Sequence, residues 1–132
     1  MRATGPFEVK INPLPAYHND PGSPLGHMSL DKRFHGDLEA TSKGEMLTAM
    51  SPVKGSAGYV AIEQVTGTLA GRSGSFVFQH SSTMTRGEPR QNIFVVPDSA
   101  TGELTGLSGT MTVIIAPGGA HSYEFDYDLP DS

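Results

Sequence analysis

The residues best suited to chemistry are Glu63 and His80, because a carboxylate beside an imidazole can move a proton near neutral pH. Burial raises the pKa of a carboxyl group and a neighbouring imidazolium lowers it, so the pair can be tuned to exchange a proton. We predict both as catalytic residues, with Glu63 as acid or base and His80 setting its charge. A second interpretation stays open, in which the two groups satisfy each other and only hold the strands in register.

The pairing of these two residues follows from a predicted hairpin that turns at Gly71-Arg72. The register that places Glu63 directly opposite His80 separates polar from apolar side chains cleanly, and a slip by one residue mixes them. The apolar face then holds Tyr59, Ala61, Val65, Phe76, Phe78 and Met84. Residues directly opposed in a sheet have Cβ atoms about 4.5–5.5 Å apart, which predicts contact between the carboxylate and the imidazole.

Aromatic side chains supply the candidate ligand-binding residues. The predicted pocket residues are Tyr59, Phe78, Tyr123 and Tyr127. Buried tyrosine hydroxyls need hydrogen-bond partners, which fits either a polar network around a cavity or ordinary core packing. Gly36 and Gly44 predict bulges or sharp bends, which leave the direction of Glu39 and Glu45 unreadable. The favoured interpretation is a bent strand with solvated acids, and the two glutamates are weaker lining candidates.

The elements that must position these residues are β-strands. The pattern T-G-x-L-x-G-x-S-G-[ST]-apolar occurs at residues 66–76 and again at 101–111, and each copy leads into alternating apolar residues. Strands are predicted at about 3–12, 26–38, 46–50, 57–69, 74–86, 91–97, 109–116 and 120–129. A second hairpin, around residues 117–119, pairs Met111 with Phe125. We predict one all-β domain, residues 1–132, folded as an eight-stranded antiparallel barrel with meander or Greek-key connections.

Composition narrows the classes of function. The net charge is −5 and the basic residues are scattered, which argues against nucleic-acid binding. The chain has no cysteine, so disulfides and thiolate metal sites are excluded, and its five histidines lack metal-ligand spacing. No segment approaches the roughly 20 apolar residues of a membrane helix, and the first residues lack a secretion signal. We expect a cytoplasmic protein with no cofactor, no metal and no membrane partner.

Four segments carry a resemblance to a known family. They are residues 34–46 (FHGDLEATSKGEM), 58–63 (GYVAIE), 74–81 (GSFVFQHS) and 102–111 (GELTGLSGTM). Together they resemble the bacterial domain of unknown function 3224, a family similar in fold to allene oxide cyclase. That resemblance implies an antiparallel barrel with an apolar lumen, relatives that steer cyclisation of apolar substrates, and assembly as a dimer or trimer. It transfers no catalytic residue to this chain.

The sequence therefore predicts a barrel that binds a small apolar molecule in its lumen, with isomerase- or cyclase-type acid–base chemistry as one candidate activity. The alternatives are a non-catalytic carrier and a homo-oligomeric scaffold with a filled core. Apolar residues predicted on the outer face also favour a homo-oligomer, namely Val60, Ile62, Val77 and Ile114. Whether the protein is an enzyme stays open at this point.

Overall fold

The computed structural model describes residues 1–130, and its strands close into a barrel. The eight antiparallel strands are β1 (Arg2–Leu14), β2 (Leu25–Phe34), β3 (Leu38–Met50), β4 (Ala57–Leu69), β5 (Arg72–Thr85), β6 (Glu88–Val95), β7 (Ser108–Ile115) and β8 (His121–Asp128). Each strand pairs with the next along the chain, and β8 pairs with β1. The predicted eight-stranded antiparallel barrel is confirmed, and its connectivity is a meander.

The β7–β8 register is the predicted one, with Met111 opposite Phe125. The β4–β5 register is not, because Glu63 pairs with Phe78 and His80 pairs with Ala61. The turn was predicted at Gly71-Arg72 but lies at Ala70-Gly71, one residue earlier in the chain. The partner of each β4 residue is therefore displaced by two positions along β5. A two-residue displacement keeps every side chain on its own face, so Glu63 and His80 still point inward together.

The turn between β4 and β5 is set by two residues in the left-handed region. Ala70 has φ 50° and Gly71 has φ 82°, as a two-residue type I′ hairpin turn requires. Leu69 and Arg72 are therefore the last paired residues of the hairpin. This backbone requirement places the turn, and alternation of apolar residues alone did not reveal it.

Of the bulges or sharp bends predicted at Gly36 and Gly44, the bend at Gly36 is present and none forms at Gly44. Gly36 lies in the turn between β2 and β3, and Gly44 is regularly paired with Glu63 in the sheet. Alternation therefore continues unbroken along β3, and Glu39 and Glu45 point outward with side chains 59% and 72% exposed. These two acids are therefore solvated, which was the favoured interpretation, and neither lines the interior.

The two ends of the barrel are filled differently. At the end that holds the β2–β3 and β4–β5 turns, aromatic rings pack against one another, with Phe78 and Phe125 5.3 Å apart between ring centroids. The largest side chains buried there are Phe34, Phe76, Phe78, Tyr123 and Phe125. At the opposite end a smaller cluster, Leu30, Met46 and Ala61, leaves space open between the strands. We call these the closed end and the open end.

Replacing Gly71 separates backbone strain from packing, because no heavy atom lies within 4 Å of the position a Cβ would take. Gly71→Val should lower the free energy of unfolding by about 1–2 kcal/mol, the cost of a left-handed β-branched residue. Gly71→Asn should cost less, since asparagine tolerates this conformation. Urea denaturation measures both, and equal losses in the two variants would contradict the proposed turn geometry.

Candidate functional site

The open end contains a cavity of about 440 Å³. Its wall is formed mainly by apolar side chains that project inward from the strands. They include Val9, Leu30, Met46, Tyr59, Val113 and Ile115. This volume lies within the range of about 300–1,000 Å³ that is usual for small-molecule sites.

Polar groups collect at the floor of this cavity, around the carboxylate of Glu63. That side chain is fully buried, and its Oε1 lies 2.7 Å from His80 Nε2 and 3.1 Å from Lys32 Nζ. The Ser42 hydroxyl donates to the other oxygen, Oε2, at 2.6 Å. Lys32 and His80 reach the cavity lining, whereas Glu63 and Ser42 lie behind them. We call these four residues the floor network.

Four neighbouring strands supply the floor network. Lys32 comes from β2, Ser42 from β3, Glu63 from β4 and His80 from β5. On β3 the residue opposite Glu63 is Gly44, where a Cβ would lie only 2.6 Å from the Glu63 Cβ. The missing side chain therefore leaves the space in which the carboxylate reaches its donors.

Aromatic rings support the lysine of this network. The Lys32 ammonium lies 5.5 Å from the ring centroid of Phe7 and 6.0 Å from that of Phe34. A cation over an aromatic face is attracted by the negative face of the ring. Because the side chain is only 8% exposed, Lys32 depends on these rings and on Glu63 for the interactions that water would otherwise supply.

The surroundings of Glu63 fix its charge. Burial alone raises the pKa of the carboxyl group, but the His80 hydrogen bond, the Lys32 charge and the Ser42 hydroxyl together lower the pKa to about 2. Glu63 is therefore a carboxylate at neutral pH and too weak a base to carry a proton there. In this arrangement the carboxylate is the counter-charge of its neighbours, and a part for it in proton exchange stays a prediction.

The predicted ligand-binding residues divide between the two ends. Tyr59 lies in the cavity wall, whereas Phe78, Tyr123 and Tyr127 pack in the closed end and do not line the cavity. The Tyr123 hydroxyl donates to the His35 carbonyl oxygen at 2.7 Å, and burial raises its pKa. The prediction that these three residues line the pocket was wrong, because strand alternation gives the face of a residue but not its depth.

Sequence reasoning missed Lys32 and Ser42. A signal for Lys32 was present, since it alternates with Leu30 and Phe34 on the inward face of β2. A charged residue at such a position needs a buried partner, and Glu63 was the candidate already identified. Ser42 gives a weaker signal, because its uncharged side chain does not call for a charged partner when it is buried.

Other site types find no support in residues 1–130. No group of three or more histidine or acidic side chains is placed to hold a metal ion. Nor does this part of the chain contain a helix long and apolar enough to cross a bilayer.

Comparison with known proteins places the chain in a family. The sequence profile described as protein of unknown function DUF3224 matches residues 3–127. The chain belongs to the DUF3224 family. A crystal structure of a DUF3224 protein of unknown function from Shewanella oneidensis MR-1 is similar to this barrel, with 55% sequence identity and a TM-score of 0.94. That match covers 100% of this chain and 98% of the other. No curated protein matches the sequence.

The ionised state of Glu63 predicts how stability depends on pH. The folded carboxyl group has a pKa of about 2, against 4.5 for its ordinary value, so only the unfolded chain takes up this proton between those two pH values. Glu63 therefore contributes stability that is present above about pH 4.5 and is lost as the pH falls towards 2. We expect Glu63→Gln to cost about 3–5 kcal/mol at pH 7, because Lys32 loses its counter-charge.

The difference in unfolding free energy between the wild type and Glu63→Gln should shrink by roughly 3 kcal/mol as the pH falls through this window. Urea denaturation at several pH values measures it. Glu45→Gln, on the exposed face of β3, is the control and should follow the wild type. Parallel pH curves for the wild type and Glu63→Gln would contradict an ionised, buried Glu63.

Proposed function

We propose that this DUF3224 barrel binds a small, mainly apolar molecule in the cavity at its open end. The observation that carries the proposal is an apolar-walled space of about 440 Å³ inside a barrel whose other end is tightly packed. Small-molecule sites are typically of this kind, with hydrophobic walls and a few polar groups that orient the ligand. The floor network supplies those polar groups.

Exposed apolar side chains inside the mouth support the same proposal. Ile11, Met50, Met84 and Ile115 line the cavity and are 47%, 65%, 43% and 63% exposed. Contact with an apolar ligand would remove this surface from water, which is favourable by about 25 cal/mol per Å². In a scaffold with a filled core, these apolar side chains would stay exposed to water without a compensating contact.

A carrier and an enzyme share this binding step. Isomerase- or cyclase-type chemistry and the likeness to allene oxide cyclase stay predictions from the sequence. The floor network is compatible with either role, since an ion pair under a cavity can orient a ligand or take part in proton transfer. The hydrogen-bond donors and acceptors of the floor network determine which substrates it could bind.

Filling the cavity tests the binding site. Val113 lines it, whereas its neighbour Thr112 points out of the barrel. Val113→Trp should weaken binding of the neutral fluorescent probe N-phenyl-1-naphthylamine by at least about tenfold, or 1.4 kcal/mol, because the indole occupies the probe's space. Fluorescence titration measures the affinity. Thr112→Trp adds the same ring outside and should bind as the wild type does, so equal behaviour of the two variants would exclude the cavity.

We further propose that an outer apolar stripe on β3 and β4 joins copies of this chain. Leu47, Val60 and Ile62 point outward and are 57%, 51% and 52% exposed, and Leu47 is paired with Val60. The outer face of an antiparallel barrel in water is normally polar, so a contiguous apolar stripe favours contact with another protein surface. Val77, half-buried on β5, borders it.

Ile62→Arg should dissociate such an oligomer, because burial of an unpaired charge opposes association. Sedimentation velocity is expected to show a dimer or trimer for the wild type and a monomer for the variant at equal concentration. Thr66→Arg, on the same face of β4 but beyond the stripe, should leave the assembly intact. A monomeric wild type would remove this proposal.

A further inference from the structure

We infer that the floor network recognises a carbonyl group: Lys32 donates to the ligand's carbonyl oxygen, and His80 removes a proton from the adjacent carbon. The inference rests on the proposed ligand binding and specifies its chemistry. It assigns the barrel an enolisation activity on apolar ketones or related carbonyl compounds.

Lys32 has N–H donors that no acceptor within residues 1–130 uses. An ammonium group carries three N–H donors, and within residues 1–130 its recorded hydrogen bond is the one to Glu63 Oε1. The side chain is nearly buried yet reaches the cavity lining. A ligand oxygen is therefore the acceptor that can use the remaining donors.

The charge balance of the floor favours a neutral acceptor. Lys32 is already compensated by the Glu63 carboxylate, 3.1 Å away and fully buried. An anionic ligand head would bring a second negative charge close to that carboxylate, and repulsion between like charges is strong where water is excluded. A carbonyl oxygen accepts the same hydrogen bond without adding a charge.

The hydrogen bonds of the floor network also determine which ring nitrogen of His80 carries a proton. An ionised carboxylate only accepts, so His80 Nε2 must carry the proton that it shares with Glu63 Oε1 at 2.7 Å. In a neutral ring with the proton on Nε2, the lone pair lies on Nδ1. Nδ1 has no hydrogen-bond partner within residues 1–130. His80 is thus an oriented base in the cavity lining, with a carboxylate behind it to stabilise the imidazolium.

A nearby hydroxyl points independently to a missing polar partner. The Ser82 Oγ atom is buried and has no hydrogen-bond partner within residues 1–130. It lines the cavity two residues beyond His80, on the same face of β5. A buried polar atom left unpaired is destabilising, and a ligand with a polar group at this level would satisfy it.

The proposed step is balanced without a co-reactant. The C–H bond beside the carbonyl breaks, its proton passes to His80 Nδ1, and its electron pair forms the enolate, whose oxygen stays bound to Lys32. Developing negative charge on that oxygen strengthens the hydrogen bond from the ammonium in the transition state. The proton on Nδ1 exchanges with solvent; return of a solvent-derived proton to the same carbon gives exchange, and protonation at another carbon gives an isomer.

One probe tests both parts of the inference. 6-Propionyl-2-(dimethylamino)naphthalene combines an apolar ring system with a ketone, and N,N-dimethyl-2-naphthylamine is its counterpart without the carbonyl. We expect the wild type to bind the ketone about tenfold more tightly in fluorescence titrations, as one added hydrogen bond allows. Lys32→Met should abolish that preference while the carbonyl-free probe binds as before. Lys43→Met, on the outward face of β3, should keep it.

Proton removal is measured on the same ketone in D2O, by mass spectrometry of deuterium at the CH2 group beside the carbonyl. The wild type should accelerate exchange, His80→Gln should abolish it, and His35→Gln, outside the barrel, should retain it. Circular dichroism checks that each variant is folded. Glu63→Gln should alter the pH profile of exchange, because the imidazolium loses its counter-charge.

The outcomes separate the two proposals. If neither probe binds, the proposed function fails. If both bind equally in the wild type, or if the preference survives in Lys32→Met, the cavity binds apolar molecules but recognition of the carbonyl is overturned. If the ketone binds through Lys32 without exchange, or if exchange persists in folded His80→Gln, the assignment of His80 as the base is overturned.

Discussion

The ionised Glu63 carboxylate is the constraint on which the interior of this barrel depends. A fully buried carboxylate is stable only when hydrogen bonds and an opposite charge replace the water it has lost. Here the donors come from Lys32, Ser42 and His80, which lie on three different strands. A change in the register of β2 on β3, of β3 on β4 or of β4 on β5 would leave the carboxylate without one of them. The strand register is therefore required to form the site, and the hydrogen bonds of the site in turn stabilise that register.

Stability alone does not account for this arrangement. Well-packed apolar side chains in place of a buried ion pair often give a protein of equal or greater stability. The aromatic rings of the closed end show that this barrel can be filled in that way, as with Phe76 and Phe125. What an apolar filling lacks is a polar surface at the bottom of the cavity. The floor network supplies that surface, and the glycine at position 44 gives it room.

The sequence predicts the faces of the strands better than their depth. Alternation along β8 correctly placed Tyr123 and Tyr127 inside, but their position at the closed end depends on how eight strands of different length and tilt meet. The contact between Glu63 and His80 was predicted from a wrong register, and it was correct because an error of two residues preserves the face. The role of Lys32 required knowing which side chains surround it, and those come from strands distant along the chain.

The fold also places two groups of apolar residues on opposite faces of the sheet, a separation that composition alone does not reveal. On β4, Tyr59 and Ala61 point into the barrel, while Val60 and Ile62 point out of it. Residues that follow one another in the chain therefore belong to different environments, because side chains alternate across a strand. The inner surface is concave and ends on charged groups, which suits a small molecule with a polar head. The outer surface is an exposed apolar stripe. Because both surfaces lie on one strand that also carries Glu63, a shift of β4 would alter the cavity wall, the floor network and the outer stripe together.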